Sequence, residues 1–133
     1  MDLITLDFET YYDRDYSLRK ITTEAYVRDP RFEVIGVGVK LNNGETEWAS
    51  GTYKEIKRYL KTFPWEDAML LCHNTMFDGA ILNWRFDIRP RMYTDTLCIA
   101  RALHGTEASA SLAMLSQRYN IGVKGTEVLD ALG

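Results

Sequence analysis

Acidic residues follow two short apolar segments of this chain. Asp7 directly follows residues 3–6, Glu9 comes two positions later, and Asp78 lies shortly after the apolar segment 68–72. Three carboxylates brought together would repel one another unless a divalent cation lay between them. Oxygen ligands of this kind favour Mg²⁺ or Mn²⁺, ions that in proteins most often act on phosphate groups. The residue types therefore indicate metal-dependent phosphodiester chemistry.

The context of Asp7 and Glu9, rather than their spacing, makes this pair a candidate. With 19 acidic residues, chance predicts about two or three acid-x-acid pairs in the chain. Three occur, at Asp7/Glu9, Asp13/Asp15 and Glu45/Glu47. The second and third pairs lie in a polar segment and a predicted hairpin, where we expect solvated surface. The first pair follows an apolar strand, and residues i and i+2 of a strand point to the same side, so both carboxylates can face one metal.

Asp78 strengthens this interpretation because it falls in the first turn after the second apolar strand. Ligand sites in open α/β sheets lie at the carboxyl ends of the strands. If the strands at 3–6 and 68–72 are neighbours, Asp78 meets Asp7 and Glu9 at the same edge of the sheet. Two structural interpretations stay open: Asp7 and Glu9 can face solvent at a strand end, and Asp78 can be a first-turn acid favoured by the helix dipole.

Periodic apolar patterns predict the elements that must position these acids. Strands are predicted at 3–6, 33–39, 45–49, 68–72 and 92–94, with a hairpin turn at 42–44. Helices are predicted at 56–63, 77–84, 96–103 and 112–119, with a single helical turn at 22–28. This order predicts an α/β fold with a mixed sheet. Its first three strands are antiparallel, parallel crossovers join the later ones, and helices flank it.

The remaining candidate residues are interpreted as structural. His73 can be a ligand or a base, but its place beside Asn74 in a strand-to-helix turn favours a structural role. Asp95 ends a strand and is predicted to cap the helix that follows. Ser109 or Ser111 is predicted to cap the last helix in the same way. The sequence contains no Gly-rich phosphate loop.

Length and composition describe a small single domain. The 133 residues are enough for one hydrophobic core, and the formal charge of −3 argues against binding nucleic acid by bulk electrostatics. This charge does not exclude an enzyme that holds phosphates through metals, because each cation reverses the local charge. Cys72 and Cys98 lack metal-site spacing and favour a reducing, cytoplasmic setting. No secretion signal or membrane-spanning segment is predicted.

Two motifs in this order resemble a known enzyme family. Asp7-Phe8-Glu9-Thr10 followed by His73-Asn74-x-x-Phe77-Asp78 resembles the first two motifs of the DEDD, or DnaQ-like, 3′–5′ exonucleases. The helix start at 95–97 is also similar to this family. The tyrosine-rich segment after Thr10 and residues 26–32 look most like the proofreading domain of a phage family A DNA polymerase. The resemblance implies a ribonuclease H-like fold, hydrolysis of nucleotides from a 3′ end, and the host cytoplasm if the protein is phage-encoded.

The resemblance also implies roles for individual residues. Asp7 would bridge two divalent cations, Mg²⁺ or Mn²⁺, Glu9 would bind one of them, and Asp78 would bind directly or through water. These three are the implied catalytic residues. The positions implied to line the terminal nucleotide are Thr10, Tyr11, Asn74 and Phe77. The implied partners are a single-stranded DNA 3′ end and a polymerase domain in the parent chain.

The third motif of the family is missing from the sequence. That motif, Tyr-x-x-x-Asp or His-x-x-x-Asp, supplies a fourth acid in the family. His104 and Tyr119 are not followed by an acid four positions later, and Glu127 and Asp130 fit neither pattern. We therefore expect residues 1–133 to form one exonuclease-like domain that lacks the third motif. Either the chain is truncated before its last helix, which we favour, or it has lost that element. One metal would then be short of a ligand.

Other functions stay open. An exoribonuclease of the same family would use the same acids, because discrimination between sugars depends on contacts to the 2′-OH. A catalytically incomplete domain would instead bind single-stranded nucleic acid, with aromatic residues stacking on bases and arginines meeting phosphates. The candidates for that role are Tyr11, Tyr12, Phe77, Arg85, Arg89 and Arg91, although the arginines can equally form a solvated face. A structural domain with coincidental acids is the remaining interpretation.

Overall fold

A computed structural model of the protein describes residues 1–121, which form a five-stranded sheet and the helices around it. The strands are β1 (Asp2–Thr10), β2 (Val34–Leu41), β3 (Glu47–Ser50), β4 (Ala68–Cys72) and β5 (Met92–Asp95). The helices are α1 (Thr23–Arg28), α2 (Tyr53–Leu60), α3 (Thr75–Phe86), α4 (Thr96–His104) and α5 (Leu112–Tyr119), with a short 3₁₀ helix at Trp65–Asp67. Among the described residues, no helix is both long and apolar enough to cross a membrane.

The sheet has the order β3-β2-β1-β4-β5, with β1 at its centre. β1 pairs antiparallel with β2, and β2 with β3, whereas β4 lies parallel to β1 and β5 parallel to β4. Asn42, at a φ of 51°, ends β2 in the left-handed conformation that asparagine tolerates. Its side-chain oxygen accepts a 2.8 Å hydrogen bond from the N–H of Leu3. The predicted α/β fold, a ribonuclease H-like mixed sheet flanked by helices, is confirmed.

β1 separates acidic and apolar residues onto its two faces. Leu6 and Phe8 are buried, while Asp7 and Glu9 alternate with them and lie on the opposite face. The buried face packs against α3, where the ring of Phe86 stacks on that of Phe8 with centroids 5.6 Å apart. Burying a side chain of this size stabilises the fold by about 1.5–3 kcal/mol. The apolar face of β1 therefore fixes the direction in which the two acids point.

Every predicted element is present, and the bounds of most differ from the predicted ones by up to four residues. β1 continues through the acids to Thr10 instead of ending before Asp7, because β2 pairs with it along this whole stretch. α2 ends at Leu60, and the predicted last turn becomes a separate turn before the 3₁₀ helix. Asp95 caps α4 as predicted, and of the two serines considered for α5 the cap is Ser111.

Candidate active site

One edge of β1 is open because β4 ends before β1 does. The parallel pairing of the two strands extends only as far as Thr5 and Leu71. β4 ends at Cys72, whereas β1 continues to Thr10 with β2 on its other side. A side chain that follows β4 can therefore hydrogen-bond the main chain of β1 where a neighbouring strand would otherwise do so.

Asp78 occupies this open edge. It lies in the first turn of α3, is only 3% exposed, and its Oδ1 accepts a 2.9 Å hydrogen bond from the N–H of Phe8. Phe8 is the residue between Asp7 and Glu9. Burial raises the pKa of Asp78 well above its usual value, and the charges of Asp7 and Glu9 raise it further, against the lowering effect of the hydrogen bond. The structure thus brings the three predicted acids to the same edge of the sheet.

The thiol of Cys72 responds to the same group of charges. Its side chain is buried, and that burial raises its pKa, as do the charges of Asp78, Asp7 and Asp95 in decreasing order. A cysteine in this environment stays neutral and packs as a small hydrophobic group. Acidic groups from β1, α3 and the end of β5 therefore lie together at the carboxyl ends of the parallel strands, where open α/β sheets bind ligands.

The donor chemistry of this cluster fits a hard divalent cation, but the described residues do not form a closed set of ligands. Asp7, Glu9 and Asp78 offer only carboxylate oxygens, which Mg²⁺ and Mn²⁺ prefer. None of the ion pairs within residues 1–121 involves Asp7 or Asp78. In the same part of the chain, no three histidine, cysteine, aspartate or glutamate side chains are arranged to hold a metal ion. Metal binding here therefore requires these side chains to adjust, or a further ligand to join them.

Asp95 fixes the turn that carries Asp78. Its Oδ1 accepts hydrogen bonds from the N–H of Asn74 at 2.8 Å and of Leu97 at 2.9 Å. Burial alone would raise the pKa of Asp95, but these hydrogen bonds outweigh burial, so that the pKa is lowered. Asn74 has a φ of 74° and directly precedes α3. Asp95 is thus the predicted cap of α4, and it also holds the start of α3.

His73 connects secondary-structure elements, as predicted. Its Nδ1 hydrogen-bonds Oγ1 of Thr96 at 2.9 Å, and its Nε2 donates to the carbonyl of Ala110 at 2.7 Å. Both ring nitrogens are therefore used within the protein, which leaves neither for a metal or a substrate. The ring joins the end of β4 to α4 and to the segment before α5.

A cleft of about 600 Å³ lies beside the end of β1 and the start of α3. Thr10 and Phe77, which line it, are the chain neighbours of Glu9 and Asp78. Oγ1 of Thr10 and the hydroxyl of Tyr26 lie 2.9 Å apart in a hydrogen bond, and the rings of Tyr26 and Phe77 are in contact with centroids 5.9 Å apart. The cleft is of the size that binds small ligands in other proteins. The contact of Thr10 and Phe77 with a terminal nucleotide stays a prediction.

The other two residues expected to line the terminal nucleotide, Tyr11 and Asn74, do not line this cleft. The hydroxyl of Tyr11 donates to Oδ2 of Asp13 at 2.5 Å, a hydrogen bond that raises the pKa of Tyr11, and its ring packs against the core. The main chain of Asn74 is held by Asp95. Tyr12, which is 41% exposed, lines the cleft instead. A hydrogen bond to an aspartate thus holds the Tyr11 side chain and the Asn74 main chain.

Trp48 was not singled out from the sequence, although it lies on the same face of the sheet as the acids. Gly36 and Gly38 of β2 pair with Glu9 and Asp7, respectively. A Cβ atom at Gly36 would come within 2.2 Å of the Trp48 ring, so the ring lies directly over this glycine. Trp48, Asp7 and Glu9 together line a second cavity, of about 360 Å³. The alternate glycines in the predicted strand 33–39 are the sequence signal for this arrangement.

The arginines considered for phosphate binding contact protein groups. Arg85 donates hydrogen bonds to the carbonyls of Val27 at 2.7 Å and Asp29 at 2.9 Å. Arg89 and Arg91 each form an exposed ion pair with an aspartate, at 3.1 and 3.2 Å. Arg85 is therefore not available to a phosphate, because its guanidinium binds the carbonyl end of α1.

The absence of the third motif stays a prediction. His104 and Tyr119, the two residues from which that motif would start, hydrogen-bond each other through Nε2 and the hydroxyl. Glu127 and Asp130 lie outside the described residues.

Several solved structures share this fold. Brucella melitensis NrnC with bound Mg²⁺ aligns at a TM-score of 0.64 and 17% identity, covering 93% of this chain and 56% of that chain. Brucella melitensis NrnC bound to pGG aligns at a TM-score of 0.62 and 18% identity, covering 93% of this chain and 55% of that chain. Escherichia coli RNase D, an exoribonuclease involved in structured RNA processing, aligns at a TM-score of 0.59 and 13% identity. The alignment covers 92% of this chain and 29% of that chain.

These comparisons establish the fold. The chain spans about half the length of NrnC and less than a third of RNase D. At these identities the likeness concerns the architecture alone. No protein-family model matches the chain, and neither does any curated protein sequence.

Proposed function

We propose that this chain is the metal-binding part of a 3′–5′ exonuclease, with Asp7, Glu9 and Asp78 as ligands of two divalent cations, Mg²⁺ or Mn²⁺. The hydrogen bond between Asp78 and the N–H of Phe8 carries the proposal. It anchors a buried carboxylate beside two others, and a buried ionised carboxylate is costly unless it is paired or bound to a metal. The fold shared with RNase D and with Mg²⁺-bound NrnC supports the same assignment.

The chain supplies binding and positioning for this reaction. Two divalent cations on such carboxylates would provide a hydroxide nucleophile and stabilise the leaving oxygen of a phosphodiester. Asp78 is held by β1 through Phe8, and Asp95 holds the turn that precedes it. Thr10 and Phe77, the chain neighbours of Glu9 and Asp78, line the cleft, where the ring of Phe77 offers a surface for the terminal base. A phosphodiester bound at the acids would therefore place its 3′ nucleotide against Thr10 and Phe77, at one end of this cleft.

We propose a single-stranded DNA 3′ end as the substrate, and proofreading beside a polymerase domain of the parent protein as the role. The resemblance of the two acidic motifs and of residues 26–32 to phage polymerase proofreading domains supports this choice. RNA is the second candidate, because RNase D is an exoribonuclease and NrnC has been solved with pGG. Both substrates would use the same acids, since the sugar is distinguished by contacts to its 2′-OH.

Cleavage of 5′-labelled single strands tests the proposal. The full 133-residue chain is incubated with DNA and RNA of the same sequence, in Mg²⁺ or Mn²⁺ and in EDTA. We expect a ladder that shortens from the 3′ end, requires the metal and disappears in Asp7→Ala. Asp15→Ala is the matched control, because Asp15 is an exposed acid of a second acid-x-acid pair and should leave the ladder unchanged.

Each other outcome has a defined meaning. Cleavage that persists in Asp7→Ala would refute the role given to the acids. Absence of cleavage, together with binding of a 3′ end, would favour the catalytically incomplete binding domain. A ladder with RNA but not with DNA would replace proofreading by exoribonuclease activity.

A further inference from the structure

The loop between β1 and α1, residues 11–21, has a fixed conformation. Tyr16 at its centre is fully buried and stacks on Tyr26 with ring centroids 4.4 Å apart. Its hydroxyl donates to the carbonyl of Tyr26 at 2.5 Å, and burial raises its pKa to about 12, so that it remains a donor at ordinary pH. Oδ1 of Asp13 accepts hydrogen bonds from the N–H groups of Asp15 at 2.8 Å and Tyr16 at 2.7 Å. These contacts make the loop a defined wall of the neighbouring cleft.

This wall carries three positively charged side chains. Arg14, Arg19 and Lys20 line the cleft and are exposed. None of them takes part in an ion pair within residues 1–121. Asp13 is the acid that lines the same cleft, and its side chain accepts hydrogen bonds from Tyr11 and from the loop itself. The cleft is therefore positive in a chain whose formal charge is −3.

Aromatic side chains accompany these charges. Tyr12 is 41% exposed, and Phe77, at the start of α3, is partly exposed; both line the cleft. A positive groove combined with aromatic surfaces is the arrangement by which proteins bind single strands, with cations on phosphates and rings on bases. A duplex needs no exposed ring surface, because its bases are already stacked.

We propose that this cleft binds the backbone of a single-stranded nucleic acid next to the nucleotide being removed, with Arg14, Arg19 and Lys20 contacting its phosphates. The inference rests on the proposed function for the identity of the bound strand. The cleft begins at Thr10 and Phe77, the chain neighbours of two of the acids. A strand whose terminal phosphodiester lies at the acids therefore reaches the three cations as it extends.

Binding measured without metal tests the cleft independently of catalysis. Fluorescence anisotropy in EDTA gives the Kd of the full chain for labelled DNA and RNA strands of two and eight nucleotides, over a series of salt concentrations. The test variant combines Arg14→Gln, Arg19→Gln and Lys20→Gln. The control variant removes three exposed positive charges from α2 and the residue after it, with the substitutions Lys54→Gln, Arg58→Gln and Lys61→Gln.

The expected result depends on strand length. Three lost phosphate contacts should make the negative slope of log K against log salt shallower by about 2 for eight nucleotides. The Kd for that strand should rise by about tenfold at low salt, and the Kd for two nucleotides by less than about twofold. The control variant should have the same Kd values and the same salt slope as the parent protein. Lys20→Gln alone should make the slope shallower by about 0.7, which provides a second measurement if the triple variant unfolds.

Two results would overturn the proposal. One is failure of the parent protein to bind the eight-nucleotide strand in EDTA. The other is an equal loss of affinity in the test and control variants. The acids hold no metal in EDTA, so binding there is measured independently of catalysis. If the Kd and the salt slope change as expected but 3′ cleavage is absent, the exonuclease is rejected and this binding site is kept. Normal 3′ cleavage, with a salt slope that is the same in the test variant and the parent protein, would keep the exonuclease and reject this binding site.

Discussion

Replacing Asp78 by asparagine should stabilise the metal-free protein, although it removes a proposed metal ligand. The wild-type carboxylate is 3% exposed, and its pKa is raised by burial and by the charges of Asp7 and Glu9. A group whose pKa is raised on folding supports stability below its unfolded pKa and loses that support as the pH rises. Asp78→Asn removes this loss. In EDTA, its free energy of unfolding should therefore exceed that of the wild type most at neutral pH, and the difference should vanish on acidification.

The hydrogen bond to Phe8 determines how much the stability of Asp78→Asn should exceed that of Asp78→Ala. Asparagine can still offer an oxygen to the N–H of Phe8, whereas Asp78→Ala leaves that buried donor without its acceptor. The difference between the two variants should be about 1–3 kcal/mol. With an m value of about 1.5 kcal/mol/M in urea, this separates their midpoints by about 0.7–2 M.

Urea unfolding in EDTA measures these differences. Asp67→Asn is the control, because Asp67 is an exposed acid in an ion pair and its replacement should change stability by less than about 0.5 kcal/mol. A neutral-pH stability of Asp78→Asn below that of the wild type would refute the electrostatic account of the cluster. Equal stability of the asparagine and alanine variants would refute the role of the Phe8 hydrogen bond.

Three further substitutions test contacts near the site. Tyr16→Phe removes one of the two hydrogen bonds that the carbonyl of Tyr26 accepts, the other coming from the N–H of Asp29. It should cost about 0.5–1.5 kcal/mol in urea unfolding, and an unchanged midpoint would contradict the bond. Arg85→Ala should cost about 1.5–3 kcal/mol by the same measurement. It should change the Kd for an eight-nucleotide strand by less than about twofold, and a larger loss would show that Arg85 does meet phosphates. Gly36→Ala should displace the ring of Trp48 and shift its fluorescence to longer wavelength, so an unchanged spectrum would disprove the close contact.

The sheet was predictable because each strand has its own local pattern. The apolar segments 3–6 and 68–72 indicated two buried strands, and the crossover between them required a parallel arrangement. The place where β1 ends was not predictable in this way. Its acidic second half is extended because β2 pairs with it there, and pairing between distant segments leaves little trace in the residues themselves.

The strand order predicted that the acids lie close together, but it did not predict the orientations of the side chains around them. Asp78 could be placed near Asp7 once β1 and β4 were taken as neighbours. By contrast, Tyr11 turns to Asp13, and Arg85 binds the carbonyl end of α1. The orientation of Tyr11 depends on one hydrogen bond and that of Arg85 on two, and other groups in the chain could accept the same hydrogen bonds. The candidate site is therefore predictable in its carboxylates and less so in the side chains that line its cleft.

Binding of Mn²⁺ measured by electron paramagnetic resonance tests the central claim most directly. The full chain is titrated as wild type, as Asp7→Asn and as Asp15→Asn. The account predicts that the wild type and Asp15→Asn take up Mn²⁺ equally, and that Asp7→Asn loses at least about tenfold in affinity, because one charged ligand is gone. Equal Mn²⁺ affinity in all three proteins would contradict a metal site at these acids.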